Sequence, residues 1–469
     1  MTRSSVDMLI QGGTVVTEGW VGEASIAVND GRVVGLLGPR DAPRPETDRV
    51  IDAGGKLVMA GGVDPHCHVA LPVGAYTTKD SFESASLAAL AGGTTTIVDF
   101  AIPEVGQHPL DVFEQRAELA RTSRCDYAFH GCITAPSDGI RDTVHELAAR
   151  GARTVKLFTT YRDLLMVDPG TIAEVMSALR EVSGLTYVHA EANDLVEQAQ
   201  QAAVDAGRIG AAGHAGTRPN QAEEAAVSDV LDIARRLSAP VYFVHLSTPA
   251  AVDLVSAARR DGVPAFAESC PHYLTLDDGR YATRHPERWV CCPPLRDRAT
   301  VDALALRLRM GFVDAVGSDH CCYDTTQKTE HADDVRAMPN GLPGVETRIP
   351  VVFSQFVAGG RLSLERFASV TAAGPARLNG LYPRKGTIAP GADADLVILD
   401  PARTRQLRAA DLHMETDYSP YEGMEITGWP TTVLLRGRVV LDDGELKDPG
   451  PVGIQLEAGE LGLGASATR

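Results

Sequence analysis

The 469-residue chain has no long uncharged apolar run, and its 44% hydrophobic and 23% charged residues are those of an ordinary globular protein rather than a membrane or disordered one. Basic residues are in deficit. Against 44 Lys and Arg stand 62 Asp and Glu, a formal net charge of -18, which repels phosphate backbones and anionic bilayers and leaves no basic stripe for nucleic acid. The expected partner is a small molecule, with no nucleic acid and no membrane. The opening residues, MTRSSVDMLIQGG, lack the basic start, apolar stretch and cleavage site of a secretory leader, so the expected location is cytoplasmic. Any Cys-x-x-Cys pair is also missing. The eight cysteines stand singly or as neighbours (Cys291 with Cys292, Cys321 with Cys322), which argues against a thiolate zinc site and a disulfide frame and predicts buried thiols. There is no internal repeat and no low-complexity tract.

What the chain does contain is alternation. From position 63, eight short runs rich in β-branched residues recur: VDPHCH (63–68), TTTIVDF (94–100), DYAFHGCI (126–133), RTVKLF (153–158), LTYVHA (185–190), PVYFVHLS (240–247), VPAFAES (263–269) and VDAVGSD (313–319). Helical spacing separates them. The stretch 80–91 predicts a helix opened by a capping box of Asp80 and Glu83, stopped at Gly92, with Phe82, Ala85 and Ala89 on one face. Eight strands alternating with helices is the pattern of a (β/α)8 TIM-type barrel; an open doubly wound sheet alternates in the same way, and only the count favours closure. Residues 1–60, and ADLVILD (394–400) with TTVLLRGRVVLDDGEL (431–446), read as short strands instead, with Asp30-Gly31 suited to a tight hairpin turn. The two ends are expected to form one small β-sandwich with the barrel inserted in it. The expected division is 1–60 and 381–447 for the sandwich, 61–380 for the barrel, and 448–469, rich in Gly and Ala, for a mobile tail or an arm on a neighbouring subunit.

Chemistry collects at the ends of the runs. His66 and His68 close the first, Lys156 lies in the fourth, His189 and His245 fall near the ends of the fifth and sixth, and Asp319 ends the eighth. In a barrel these ends meet at one mouth, where (β/α)8 enzymes place their sites. Residues i and i+2 of a strand face the same way, so His66 and His68 point into the mouth while Cys67 points to the surrounding helices. Imidazoles and a carboxylate suit zinc and other borderline divalent ions, and this set exceeds the needs of one tetrahedral ion, so two are plausible. Two close ions can share a hydroxide and polarise a carbonyl, which is a hydrolase's chemistry. Lys156 sits in the apolar run TVKLF, where desolvation favours the neutral amine. A neutral amine can add carbon dioxide, and the resulting carbamate has two oxygens able to bridge two ions. Taken singly, each residue has a blander reading: His-x-His occurs in many strands, a lone Lys more often pairs with a buried acid, and Asp319 could cap a helix. His130 and His320 stand near the same mouth without an assigned role. Cys270, near His272, lacks a specified activating partner for nucleophilic catalysis.

At these residues the chain resembles the cyclic amidohydrolases, in the branch of D-hydantoinases and dihydropyrimidinases. The likeness runs nearly end to end through GGVDPHCHV, AGGTTTIVDFAIP, VKLFTTY, YVHAE, FVHLS, CCPPLR, VGSDHC, PNGLPGVETR, LYPRKGTIAPGADADLVILDP and SPYEGMEITGWP. The resemblance implies that His66, His68 and Asp319 hold one zinc, that His189 and His245 hold another, and that a Lys156 carboxylated from carbon dioxide or bicarbonate bridges them. It implies hydrolytic opening of a 5-substituted hydantoin or dihydropyrimidine to the N-carbamoyl amino acid: a bridging hydroxide attacks the ring carbonyl, Asp319 carries the proton to the departing nitrogen, and Tyr161 stabilises the oxyanion. Backbone groups at Cys292 and Asn340 would hold the other face of the imide, and Leu71, Val73, Phe158 and Leu165 match lid positions against the ring substituent. A homotetramer is the family habit.

Neighbouring activities can be ranked on the same residues. Dihydroorotases usually carry an Arg two places after the His-x-His, where this chain has Ala70; allantoinases generally lack a Tyr at the position of Tyr161. The alternatives are thus an allantoinase-type ureide hydrolase and a non-catalytic scaffold of the same fold that has lost its metal ligands; here all six ligand positions are filled. Cys67 replaces a commoner Thr, Cys292 a commoner Ser, and Cys322 stands where Pro is frequent, while Leu71 and Val73 make a smaller lid. These departures bear on substrate size rather than on the metal ligands.

Overall fold

Asp30 and Gly31 turn the chain with φ of 48° and 71°, the left-handed pair that a tight hairpin between right-twisted strands requires. The turn joins strands Ser25–Asn29 and Arg32–Leu37, and Met8–Gln11 and Val50–Asp52 complete a four-stranded sheet. This is a computed structural model, and it describes residues 5–38 and 44–462. A second sheet is built from both ends of the chain: Leu57–Ala60 pairs antiparallel with Leu396–Gln406 (Leu396 opposite Ala60) and parallel with Thr14–Val16. Ile10, Val28, Val58, Leu396, Ile398 and Leu434 pack between the two sheets. The sandwich is therefore one unit made from residues as far apart in the chain as Ile10 and Leu434.

Between its halves lie eight parallel strands in sequential order: β1 (Gly62–Cys67), β2 (Thr94–Phe100), β3 (Asp126–Cys132), β4 (Thr154–Phe158), β5 (Leu185–His189), β6 (Val241–Phe243), β7 (Ala265–Ser269) and β8 (Ala315–Val316). Their residues are buried throughout, which is why they read as continuous β-branched runs rather than alternating ones. The seam between β8 and β1 has little ladder. It is closed by a parallel bridge of Cys67 with His320, by His68 N–H on the His320 carbonyl at 2.7 Å, and by Ser318 N–H on Asp64 Oδ1 at 2.9 Å. Arg348, wholly buried beside it, donates to the Val316 carbonyl at 3.0 Å and to Thr94 Oγ1 at 3.0 Å. Strands β6 and β8 stop short of the runs 240–247 and 313–319, and beyond their ends His245 and Asp319 take positive φ of 40° and 50°, turning the chain at the mouth.

Two expectations differ from the structure. The helix after β1 is Phe82–Ala91, with Phe82, Ala85 and Ala89 buried, but its capping box is Ser81 with Ser84. Asp80 is held elsewhere, by His320 Nε2 at 3.0 Å and the Glu415 N–H at 2.9 Å, and Glu83 by Arg124 at 2.6 Å, so the capping role falls to the next residue. Gly92 ends that helix in right-handed geometry; a Cβ there would lie 2.1 Å from the Glu346 carbonyl oxygen, and Gly93 makes the left-handed turn at φ 87°. The C-terminal tail as far as residue 462 lies on its own barrel. Ile454 and Leu456 bracket Tyr127, Ala458 N–H donates to the Gly151 carbonyl, and Leu461 N–H to that of Ser183, all at the N-terminal ends of barrel strands. Buried Leu456 and Leu461 anchor it as a floor; residues 463–469 lie outside the described residues.

Candidate active site and metal centre

Four of the non-glycine residues with positive φ ring the mouth: Ala70 (45°), Tyr161 (67°), His245 (40°) and Asp319 (50°). Such conformations are costly for residues with a Cβ and persist where surrounding contacts enforce them. At Ala70 the enforcement is visible: its N–H donates to the Asp80 carbonyl at 2.8 Å, and Arg116, paired with Asp99, holds the Ala70 carbonyl at 3.0 Å.

His66 and His68 point the same way, as the two-residue strand repeat requires. Their Nε2 atoms are 3.2 Å apart and lie 3.2 and 3.3 Å from Asp319 Oδ1. Two donors bound tetrahedrally to one zinc at their usual bond lengths sit about 3.3 Å apart, so the spacing fits a shared divalent ion. His66 Nδ1 faces Glu268 Oε1 at 2.7 Å. Burial pushes the Glu268 carboxyl up to about 8, so the pair shares a proton, and a cation on the Nε2 side would settle that proton on Nδ1. Burial also drives His66 and His245 well below the usual histidine range, which leaves neutral, ligand-ready imidazoles.

The second group faces the first across the barrel. The His189 and His245 rings are 4.6 Å apart, and His245 is 5.3 Å from His66. His189 Nε2 meets Glu191 Oε2 at 2.8 Å, leaving Nδ1 as its free ring nitrogen. Burial would raise the Glu191 carboxyl, but its contact with Arg218 and His189 holds it down to about 2, so an ionised carboxylate orients the ring. His68 Nδ1 and His245 Nδ1 are buried without a partner among the described residues. Lys156, 1% exposed, has its Nζ 4.9 Å from the Phe100 ring centre and 5.1 Å from that of Phe158, and makes no hydrogen bond or ion pair to a described residue. Burial pushes its pKa down to about 8. Neutral imidazoles at His66 and His245 beside an unpaired amine fit the expected pair of ions and the carbamate between them.

Above these groups opens a cavity of about 520 Å³. It is lined by His68, Lys156, His189, His245 and Asp319, by Tyr161, Cys292 and Asn340, and by Leu71, Val73, Phe158 and Leu165; of the expected site residues only His66 lies behind the wall. Val73 belongs to a small exposed hairpin, Pro72–Val73 with Tyr76–Thr77. Cys292 is the one half-buried cysteine, its thiol donating to Asn340 Oδ1 at 3.2 Å. Tyr161, its phenol pushed up by burial, lies under the Arg218 guanidinium at 4.9 Å. Tyr76, of the same hairpin as Val73, also lines the cavity, as do Ile102, Leu164, His331, Arg336 and Met338 on loops without periodic signal. Glu268, Glu191 and Arg218 were missed as well; a glutamate in the apolar run VPAFAES was the available clue.

Neither of the two unassigned histidines adds a ligand. His130 spends both nitrogens, on Thr154 Oγ1 at 2.7 Å and the Pro65 carbonyl at 2.9 Å. His320 bridges Asp80 and the Gly344 N–H, so the buried group Asp80, His320 and Cys322 is already satisfied by hydrogen bonds. Burial raises the Cys270 thiol far above the range of a nucleophile.

A closed barrel with metal-type donors at its C-terminal mouth defines a class, the (β/α)8 hydrolases built around divalent ions. The description "Amidohydrolase family" matches residues 57–440. The D-hydantoinase of Geobacillus stearothermophilus is 37% identical over 441 residues, covering 93% of each chain. The dihydropyrimidinase of Rattus norvegicus is 36% identical over 93% of this chain and 86% of its own. The solved D-hydantoinase (dihydropyrimidinase) from Thermus sp. superposes with a TM-score of 0.92 at 34% identity, covering 97% of this chain and 99% of that one. The chain thus belongs to the amidohydrolase family, in the branch of the D-hydantoinases and dihydropyrimidinases.

Proposed function

We propose that the protein opens a cyclic amide by hydrolysis, converting a 5-substituted hydantoin or a dihydropyrimidine to the N-carbamoyl amino acid. The observation that carries this reading is the meeting of His66 Nε2, His68 Nε2 and Asp319 Oδ1 within 3.3 Å of one another at the base of a largely apolar cavity. His66, His68 and Asp319 would hold one ion and His189 and His245 another, with carboxylated Lys156 between; zinc suits these donors. Such an ion pair supplies a water acidic enough to ionise near neutral pH and positive charge for a carbonyl oxygen.

The rest belongs to the chain itself. Asp319 accepts the proton of the attacking water and passes it to the ring nitrogen as the C–N bond breaks. Tyr161, which burial keeps protonated, donates a hydrogen bond to the developing oxyanion. Backbone groups at Cys292 and Asn340 hold the remaining imide atoms, and Leu71, Val73, Phe158 and Leu165 enclose the substituent. Allantoinase-type activity ranks lower because Tyr161 is present, and a non-catalytic scaffold lower still because the ligand set is complete. A cytoplasmic homotetramer is the proposed setting; among the described residues no helix is long and apolar enough to cross a membrane.

A panel of dihydrouracil, 5-substituted hydantoins and allantoin, run on protein of known metal content, tests the reading. Hydrolysis of one of the first two with about two ions per chain is expected. Allantoin as the clear best substrate, or less than one ion per chain with no activity after metal and bicarbonate are supplied, overturns it.

A further inference from the structure

Lys328 sits in the short helix Thr325–Thr329, fully buried, and does not line the substrate cavity. Its Nζ donates to the Val290 carbonyl at 2.7 Å and to the Pro339 carbonyl at 2.9 Å, with the Tyr323 ring centre 5.5 Å away. It makes no ion pair with a described residue. The titratable groups that face it are the Tyr323 phenol, the His214 imidazole, which burial keeps neutral, and the thiols of Cys291, Cys321, Cys292 and Cys322. Burial raises all four, Cys292 to about 11 and Cys321 to about 12, so they are neutral and offer no counter-charge. A buried ammonium held only by carbonyls is expensive, and an apolar side chain of similar volume would avoid that cost. Packing alone does not account for it.

Its two acceptors do. Val290 leads directly into Cys291 and Cys292, and Pro339 leads into Asn340 and Gly341. Cys292, Pro339, Asn340 and Gly341 together form one wall of the cavity. The same two segments are joined by the Gly341 N–H on the Val290 carbonyl at 3.1 Å and by the Cys292 thiol on Asn340 at 3.2 Å. We propose that Lys328 is a positioning residue for substrate recognition: its ammonium staples the two backbone segments at the spacing that receives the N–H and second carbonyl of a cyclic imide. The inference rests on the reading above that this wall holds the imide. Binding should therefore depend on Lys328, and bond breaking at the His, Lys and Asp donors should not. Burial pushes the Lys328 pKa down to about 8, in keeping with a staple held near the limit of its charge.

The test compares metal-matched wild type with Lys328→Met, using a 5-substituted hydantoin as substrate and two competitors: glutarimide, a cyclic imide, and δ-valerolactam, which lacks the second carbonyl. The expected result is a rise of about tenfold or more in KM and in the glutarimide Ki, with kcat within threefold and a clearly smaller rise in the Ki of the lactam, which has only the N–H to lose. Should Lys328→Met fail to fold, Lys328→Gln, which keeps an N–H donor group without the charge, should give a smaller rise with the same preference for the imide. Equal losses for imide and lactam, or a fall in kcat at unchanged imide affinity, would overturn the staple. If wild type binds lactam as tightly as imide, the imide-holding wall itself fails, and the staple with it.

Discussion

Lys156 and Lys385 are buried to the same degree, each 1% exposed, in opposite surroundings. At the junction of sandwich and barrel floor, Lys385 Nζ lies 2.5 Å from Asp126, 2.7 Å from Asp395 and 3.0 Å from Asp393. Burial opposes the charge, but the three carboxylates hold Lys385 above the usual lysine range. Arg436 also pairs with Asp126. At the mouth, Lys156 faces aromatic rings and has no paired acid, and burial brings it down to about 8. The floor compensates its buried charges within the chain, whereas the mouth leaves amine and imidazole groups uncompensated and so open to something from outside. On the proposed reading, one charge is structural and the other is reserved for chemistry.

Replacing each lysine should separate these roles. Lys156→Ala should cost activity on the order of a thousandfold or more and bring bound metal below one ion per chain, because the proposed bridge between the ligand groups is gone. Metal analysis and rescue of turnover by a short carboxylic acid check this, and full retained activity would break the contrast. Lys385→Met leaves Asp126, Asp393 and Asp395 facing one another without their shared cation, and should lower unfolding stability by about 3–5 kcal/mol. The variant that still folds should keep the wild-type metal count; denaturant titration beside metal analysis reads both.

The smallest and most diagnostic effect is in pH. The folded pKa of Lys385 is raised, so its stabilisation is complete below the unfolded value of about 10.4 and is lost as pH rises through the folded value. Lys156 has the opposite sign. With its folded pKa near 8, metal-free folded protein binds fewer protons than unfolded chain between about pH 8 and 10.4, so its destabilisation is complete below pH 8 and fades above it. Metal-free, bicarbonate-free Lys156→Met should therefore be more stable than wild type at pH 7, by about 1–3 kcal/mol, with the gap closing toward pH 10. A pH-independent gap would mean that lost packing, not charge, separates the two proteins.

The barrel was legible because parallel strands covered on both faces are written as unbroken apolar runs, and TTTIVDF coincides with β2 to the residue. The ends of β6 and β8 were not, since the turns at His245 and Asp319 are enforced by tertiary contacts and carry no local sign. The cap at Ser81 was missed for a related reason: Asp80 is the stronger acceptor in sequence, but His320, 240 positions away, had claimed it. The tail's fate hung on Leu456 and Leu461, two apolar residues in a weakly patterned segment. Glu268 stands 202 positions from the histidine it orients, and no periodicity links such a pair.

Strand order, the two-ended sandwich and the donor types around His66 and His68 follow from the one-dimensional text, because alternation and side-chain chemistry are local properties. Which nitrogen of each histidine faces the cavity, which buried lysine finds its acids, and which backbone segments Lys328 ties together were decided only by the folded chain. Hydrogen bonds and Coulomb interactions depend on distance in space, and the partners that matter here come together only when the barrel closes.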